Sequence, residues 1–324
     1  MSEERLMNML RSACGPELWA LLEDPSITEV MCNPDGGVWV EQQGEGMYHA
    51  GVTMAPDDVE SILRIVAKSV DEVVHRQNPT LAAVLPQSGA RFQGFLPPAS
   101  SAPMFIIRQK ARHVYPLQSY IEQGYMHRGH ALAVYDSVVA RQNVLIVGGT
   151  GSGKTTFANA ILAVISQTGD RVLTIEDTPE LQCTAENYIA FFVEPHIGFT
   201  WQKAVQDALR SRPDRIVVGE VRDAAALDLL KAWNTGHNGG AATIHANSAL
   251  RGLTRLESLI QEAVAVAPVK LIAEAVDLVV YIEGTATGRE IKEVARVLDH
   301  DGNDYVVEHI GAAAYEEQRS PRRP

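Results

Sequence analysis

Residues 143–156 read Asn-Val-Leu-Ile-Val-Gly-Gly-Thr-Gly-Ser-Gly-Lys-Thr-Thr, and no other stretch of the chain restricts its fold as tightly. The apolar run 144–147 predicts a buried strand, and residues 148–155 then fit G-x-x-x-x-G-K-[ST], the P-loop pattern. Glycines here let main-chain N–H groups curl around phosphate oxygens without Cβ clashes, and the helix expected over residues 154–167 points its positive end at the anion. Gly149, Thr150, Gly151, Ser152, Gly153, Lys154, Thr155 and Thr156 are therefore the candidate nucleotide-binding residues. Lys154 would reach the β- and γ-phosphates of ATP. The Thr155 hydroxyl would complete the shell of a Mg²⁺, which prefers oxygen ligands.

At 324 residues the chain is long enough for two domains, and 46% hydrophobic with 21% charged residues is ordinary for a globular protein. The net charge of -12 speaks against a surface that itself grips nucleic acid, because neutralising phosphates takes clustered Lys and Arg. Local basic patches stay open. The opening Met1-Ser2-Glu3-Glu4-Arg5 leads into no signal-peptide core, and the most apolar late stretch is broken by Pro268, Lys270, Glu274 and Asp277. A cytoplasmic protein without a transmembrane segment is expected, any membrane association being made through partners. Cys14, Cys32 and Cys183 are odd in number and far apart, so neither a disulfide framework nor a zinc site is indicated.

In the first part of the chain, residues 27–32 and 38–41 are strand-like runs joined by Asn33-Pro34-Asp35-Gly36-Gly37, which predicts a hairpin. Pro56, Asp57 and Asp58 open a helix whose Val59, Ile62, Leu63, Val66 and Val70 share one face. That face is expected to pack on a sheet formed with residues 81–85, 90–96 and 104–108. Arg91 and Arg108 each stand at the edge of one of these strands. Taken alone, either reads as a solvated or salt-bridged surface arginine, the other reading being a cationic clamp on the γ-phosphate. The domains are expected at residues 1–111 and 120–324, with a linker over 112–119 that ends in a polar, proline-bearing segment.

From Ala131 onward strands alternate with helices, which argues for a parallel sheet flanked on both sides. One strand runs out into Glu176-Asp177-Thr178-Pro179-Glu180, where open α/β sheets place ligand chemistry. A carboxylate there can polarise water or hold the water shell of a metal. Residues 214–220, Asp-Arg-Ile-Val-Val-Gly-Glu, have the shape of a Walker B strand, but Gly219 stands where many P-loop proteins carry the metal-side Asp. That leaves Glu220 to meet Mg²⁺ through water or to order the nucleophile. Arg210, Arg212 and Arg222 surround this strand without an assigned role. A last short strand, 241–244, ends at His245, which is either a hydrogen-bonded structural residue or a sensor of the γ-phosphate. Ser248 is expected to cap the next helix, Pro268 to start another, and residues 318–324 to form a short basic disordered tail.

Four motifs thus occur in order: the P-loop, the acidic box at 174–180, Gly219-Glu220, and the His box at 236–246. In this they resemble the secretion ATPases that drive type IV secretion, type II secretion and pilus retraction, over nearly the whole chain. Residues 231–240, Lys-Ala-Trp-Asn-Thr-Gly-His-Asn-Gly-Gly, look most like the VirB11 branch and its conjugative-plasmid members. The resemblance implies an α/β fold, a RecA-like P-loop NTPase domain beside a smaller α+β N-terminal domain, and a homo-hexamer. It implies partners among type IV secretion and mating-pair formation components, and a peripheral place at the cytoplasmic face of the inner membrane. Glu176 would be the general base, Glu220 would organise Mg²⁺ and water, His245 would couple γ-phosphate state to movement, and Arg91 and Arg108 would close over the phosphates. The four-cysteine zinc module of type II secretion ATPases and the Ala-Ile-Arg-Glu box of retraction motors are both missing from the sequence. The expected function is ATP hydrolysis driving conformational work in conjugative transfer or type IV secretion. Alternatives are a pilus-type motor, a nucleotide-dependent scaffold with little turnover, and a DNA helicase, the last disfavoured by the acidic balance.

Overall fold

The computed structural model describes residues 3–42, 44–110, 113–285 and 288–319. It divides into two compact units, Met1–Arg112 and His113–Pro324. In the first, α1 (Glu3–Glu23) breaks at Gly15, whose φ of 70° leaves the helix before Pro16 restarts it. Strands β1 (Ile27–Cys32), β2 (Gly37–Gln42) and β3 (Gly46–Thr53) precede α2 (Pro56–Ser69), and β4 (Thr80–Val84), β5 (Arg91–Phe95) and β6 (Met104–Arg108) follow it. Their order in the antiparallel sheet is β3-β2-β1-β6-β5-β4. The β1–β2 turn closes as expected on Gly36, at φ 83°. Val59, Ile62, Leu63 and Val66 of α2 share a core with Leu10 and Leu18 of α1 and with Val30, Phe92, Phe105 and Ile107 of the sheet. Val70, expected on that face, is instead the exposed residue after the last helical turn.

The second unit carries α3 (Leu117–Glu122), α4 (Arg128–Val139), β7 (Val144–Gly148), α5 (Lys154–Ile165), β8 (Val172–Glu176) and β9 (Tyr188–Phe192). It continues through α6 (Trp201–Ala208), β10 (Arg215–Val218), α7 (Ala225–Asn234), β11 (Ala241–His245), α8 (Ala249–Ile260) and α9 (Val269–Ala275). It ends with β12 (Leu278–Thr285), β13 (Gly288–His300), β14 (Tyr305–His309) and α10 (Ala312–Arg319). The sheet order is β14-β13-β12-β7-β11-β10-β8-β9, parallel from β12 to β9 and antiparallel at β13 and β14. Strand β7 is buried at every position, because helices cover both faces. Leu145, Val147, Leu173 and Ile175 face a core with α6 to α9, whereas Val144, Ile146 and Val172 face one with α3, α4 and α5. Ser248 caps α8 by accepting the Arg251 N–H.

Two expectations are corrected. The second half of the supposed linker 112–119 opens α3, because Leu117 and Tyr120 are buried in the core beneath α5. Gln318 lies in α10, whose Tyr315 hydrogen-bonds Asp136, so the helix extends into the expected tail; residues 320–324 lie outside the described residues.

Candidate active site

The P-loop follows β7, with Gly151 at φ 71° and Gly153 at φ 93°, both in the region that only glycine enters without strain. Gly153 is the N-cap of α5, and no side chain caps the helix, so its first N–H groups are open to an anion. Lys154, only 7% exposed, donates to the Gly149 carbonyl at 2.7 Å and lies 3.2 Å from Nδ1 of His245. Burial pushes its pKa down to about 8, against the opposing charge of Glu220.

Parallel pairing sets the tips of β8, β10 and β11 along one edge of the sheet beside this loop. Glu176 ends β8 and is 3% exposed. Its Oε2 accepts the N–H groups of Glu180 at 2.9 Å and Leu181 at 2.8 Å, so the loop after β8 holds the carboxylate in one orientation. Gly219 explains its own departure from the commoner Walker B form. A Cβ there would lie 3.1 Å from the Cβ of Glu176, so a side chain would press on the carboxylate beside it.

Glu220 accepts from Arg222 at 2.8 Å and lies 3.1 Å from Nε2 of His245. An ammonium group only donates, so Lys154 makes Nδ1 of His245 the acceptor and leaves Nε2–H to donate to Glu220. Burial and then the Lys154 charge hold the His245 pKa below the usual histidine range, which keeps that ring neutral. Arg222 also pairs with Asp177. A polar chain, Lys154–His245–Glu220–Arg222–Asp177, therefore runs from the P-loop across the tips of β11, β10 and β8.

Sequence reasoning left Arg222 without a role; it is the clamp joining two strand tips. Arg210 lies away from the site, near Asp207 on α6, and Arg212 occupies the turn before β10 at φ 53°. Asp177 was visible only as one acid among several. Arg91 and Arg108 belong to the first unit, where they stand opposite each other on β5 and β6, and Arg108 pairs with Glu29 at 2.6 Å. Among the described residues no group of three or more His, Cys, Asp or Glu is arranged to hold a metal. Mg²⁺ needs no such cage, since it keeps several waters and takes phosphate oxygens, and Thr155 with Glu220 fits that sparse donor set.

A P-loop opening into a parallel sheet, with carboxylates and a histidine at the neighbouring strand tips, defines a P-loop ATPase. The family described as Type II/IV secretion system protein matches residues 22–296. The chain belongs to that family. It is 42% identical over 310 residues to "Conjugal transfer protein TrbB" of Rhizobium radiobacter, covering 95% of each chain. To "Protein VirB11" of Agrobacterium fabrum it is 31% identical, over 84% of this chain and 89% of that one. Its fold is similar to the solved structure of the pilus retraction motor PilT with bound ADP, at TM-score 0.59 and 20% identity over 93% of this chain and 85% of that one.

Proposed function

We propose that this chain hydrolyses ATP to ADP and phosphate at the P-loop and converts the change in phosphate state into movement that serves conjugative DNA transfer. The observation that carries the reading is the bond from Lys154 to His245 and on to Glu220. Incoming phosphates draw Lys154 off the Gly149 carbonyl and off Nδ1, so the occupancy of the P-loop is written into the contacts of His245. Glu176, oriented by the Glu180 and Leu181 amides, takes a proton from the attacking water as the β–γ bridging bond breaks. Bound Mg²⁺, met by Thr155 and through water by Glu220, would neutralise phosphate charge. Glu220 must then loosen its grip on Arg222, which links hydrolysis to the spacing of the β8 and β10 tips. Arg91 and Arg108 are kept as phosphate-directed cations. A homo-hexamer working with mating-pair formation components at the cytoplasmic face of the inner membrane fits the similarity to conjugal transfer proteins. Among the described residues no helix is long and apolar enough to cross a membrane.

The test is steady-state phosphate release by the purified chain and by Lys154→Ala. Turnover is expected in the first and a loss of at least a hundredfold in the second. Equal rates in the two would overturn the assignment.

A further inference from the structure

The β12–β13 hairpin runs along the flank of the P-loop away from the polar chain. Ile282 of β12 and His245 of β11 stand opposite Gly148 from its two sides. From this hairpin Arg289 reaches back over the loop, where a Cβ on Gly153 would lie 2.5 Å from its Nη1 and 3.1 Å from its Cζ. The guanidinium thus occupies space that only a glycine before Lys154 leaves open. Arg289 is half-buried, yet makes no ion pair among the described residues, whereas Arg215 and Arg296 of the same unit each have a carboxylate.

Its neighbour is Tyr120, 2% exposed, whose ring packs edge-on against Phe157 of α5 at 5.2 Å between centroids. The Tyr120 hydroxyl is buried and has the Arg289 guanidinium as its neighbour, in a contact too bent or long for a well-formed hydrogen bond. Burial pushes its pKa up to about 12, and the Arg289 charge works against that rise. Arg289 is thus a half-buried cation with no carboxylate of its own, steadied by the Tyr120 hydroxyl and set beside an uncapped helix start, where an anion would meet it.

We propose that Arg289 is a further nucleotide-binding residue, its guanidinium contacting the α/β-diphosphate that ATP and ADP share, with Tyr120 beside it. This rests on the reading that nucleotide sits at the P-loop. The polar chain that senses the γ-phosphate lies on the other flank, so Arg289 contributes binding common to substrate and product. Its loss falls on KM rather than kcat.

The experiment measures binding of Mg·ATP, Mg·ADP and inorganic tripolyphosphate to the full chain and to Arg289→Ala, Arg289→Lys and Lys154→Ala. Arg289→Ala is expected to weaken all three ligands by a common factor, on the order of tenfold to a hundredfold. Arg289→Lys, which keeps the charge and loses the fork, recovers part of it. Unchanged affinity in Arg289→Ala overturns the proposal. So does a loss for ATP but not ADP, which marks a γ-phosphate contact, or a loss for nucleotides but not tripolyphosphate, which marks a base contact. Lys154→Ala separates the two levels: if it abolishes binding while Arg289→Ala changes nothing, the P-loop reading stands and the role of Arg289 falls. If Lys154→Ala binds all three ligands like the wild-type chain, the P-loop reading itself falls.

Discussion

The chemistry of the site turns on one ammonium group in a poor environment. Lys154 is held near a pKa of about 8 by burial, and phosphates beside it would raise that value by adding negative charge to that of Glu220. Because the bound form holds the proton more tightly, affinity is fully present below the free-state pKa and is lost as pH rises through it. Mg·ATP affinity is therefore expected to be flat below about pH 8 and to fall roughly tenfold per unit above it. Titration calorimetry across pH 7 to 9.5, roughly the span either side of that value, reads this directly, and Lys154→Arg removes the break because arginine stays charged. An affinity that does not change through that range would show that Lys154 is not the group that meets the phosphates. That the P-loop, Glu176, Glu220 and His245 follow buried strands was legible in the sequence, because each comes at the end of a short apolar run; the roles given to the three side chains came from the family resemblance. Arg222 and Arg289 were not legible. Their meaning lies in which strand tips and loops they touch, and no spacing in the chain encodes that.

Among elements, the sheet of the second unit depends on a charge it buries. Arg215 opens β10 at 1% exposure, donating to Asp170 at 2.6 Å and to the carbonyls of Val138 and Gly239. Arg141 pairs with the same carboxylate. These contacts tie the end of α4, the start of β10 and the turn before β11 at the edge opposite the site. Removing one partner of a buried pair leaves the other charge uncompensated, so Asp170→Ala is expected to cost about 3–5 kcal/mol in denaturant unfolding. Glu60→Ala, which breaks an exposed pair with Arg64 on α2, should change stability by under about 0.5 kcal/mol. Elements with strict patterns were readable in advance, as α2 and β7 show. Three others were not, for physical reasons: α1 is interrupted at Gly15, β3 shows solvent on both faces, and β9 is a half-buried edge strand without alternation.

At the scale of the whole chain, two compact units are joined at Arg112 and His113, and the family match runs through both. The second unit holds the P-loop, the polar chain and Glu176, whereas Arg91 and Arg108 lie on the sheet of the first unit. Glu176 has two possible duties, since its amide-held carboxylate can act on water or merely brace the loop after β8. The most direct measurement is the nucleotide content and turnover of Glu176→Gln, which keeps the shape and the acceptor oxygen but cannot take a proton. If Glu176 is the base, this variant binds Mg·ATP like the wild-type chain, retains it as ATP, and releases phosphate about a hundredfold to a thousandfold more slowly. Wild-type turnover in Glu176→Gln would contradict it.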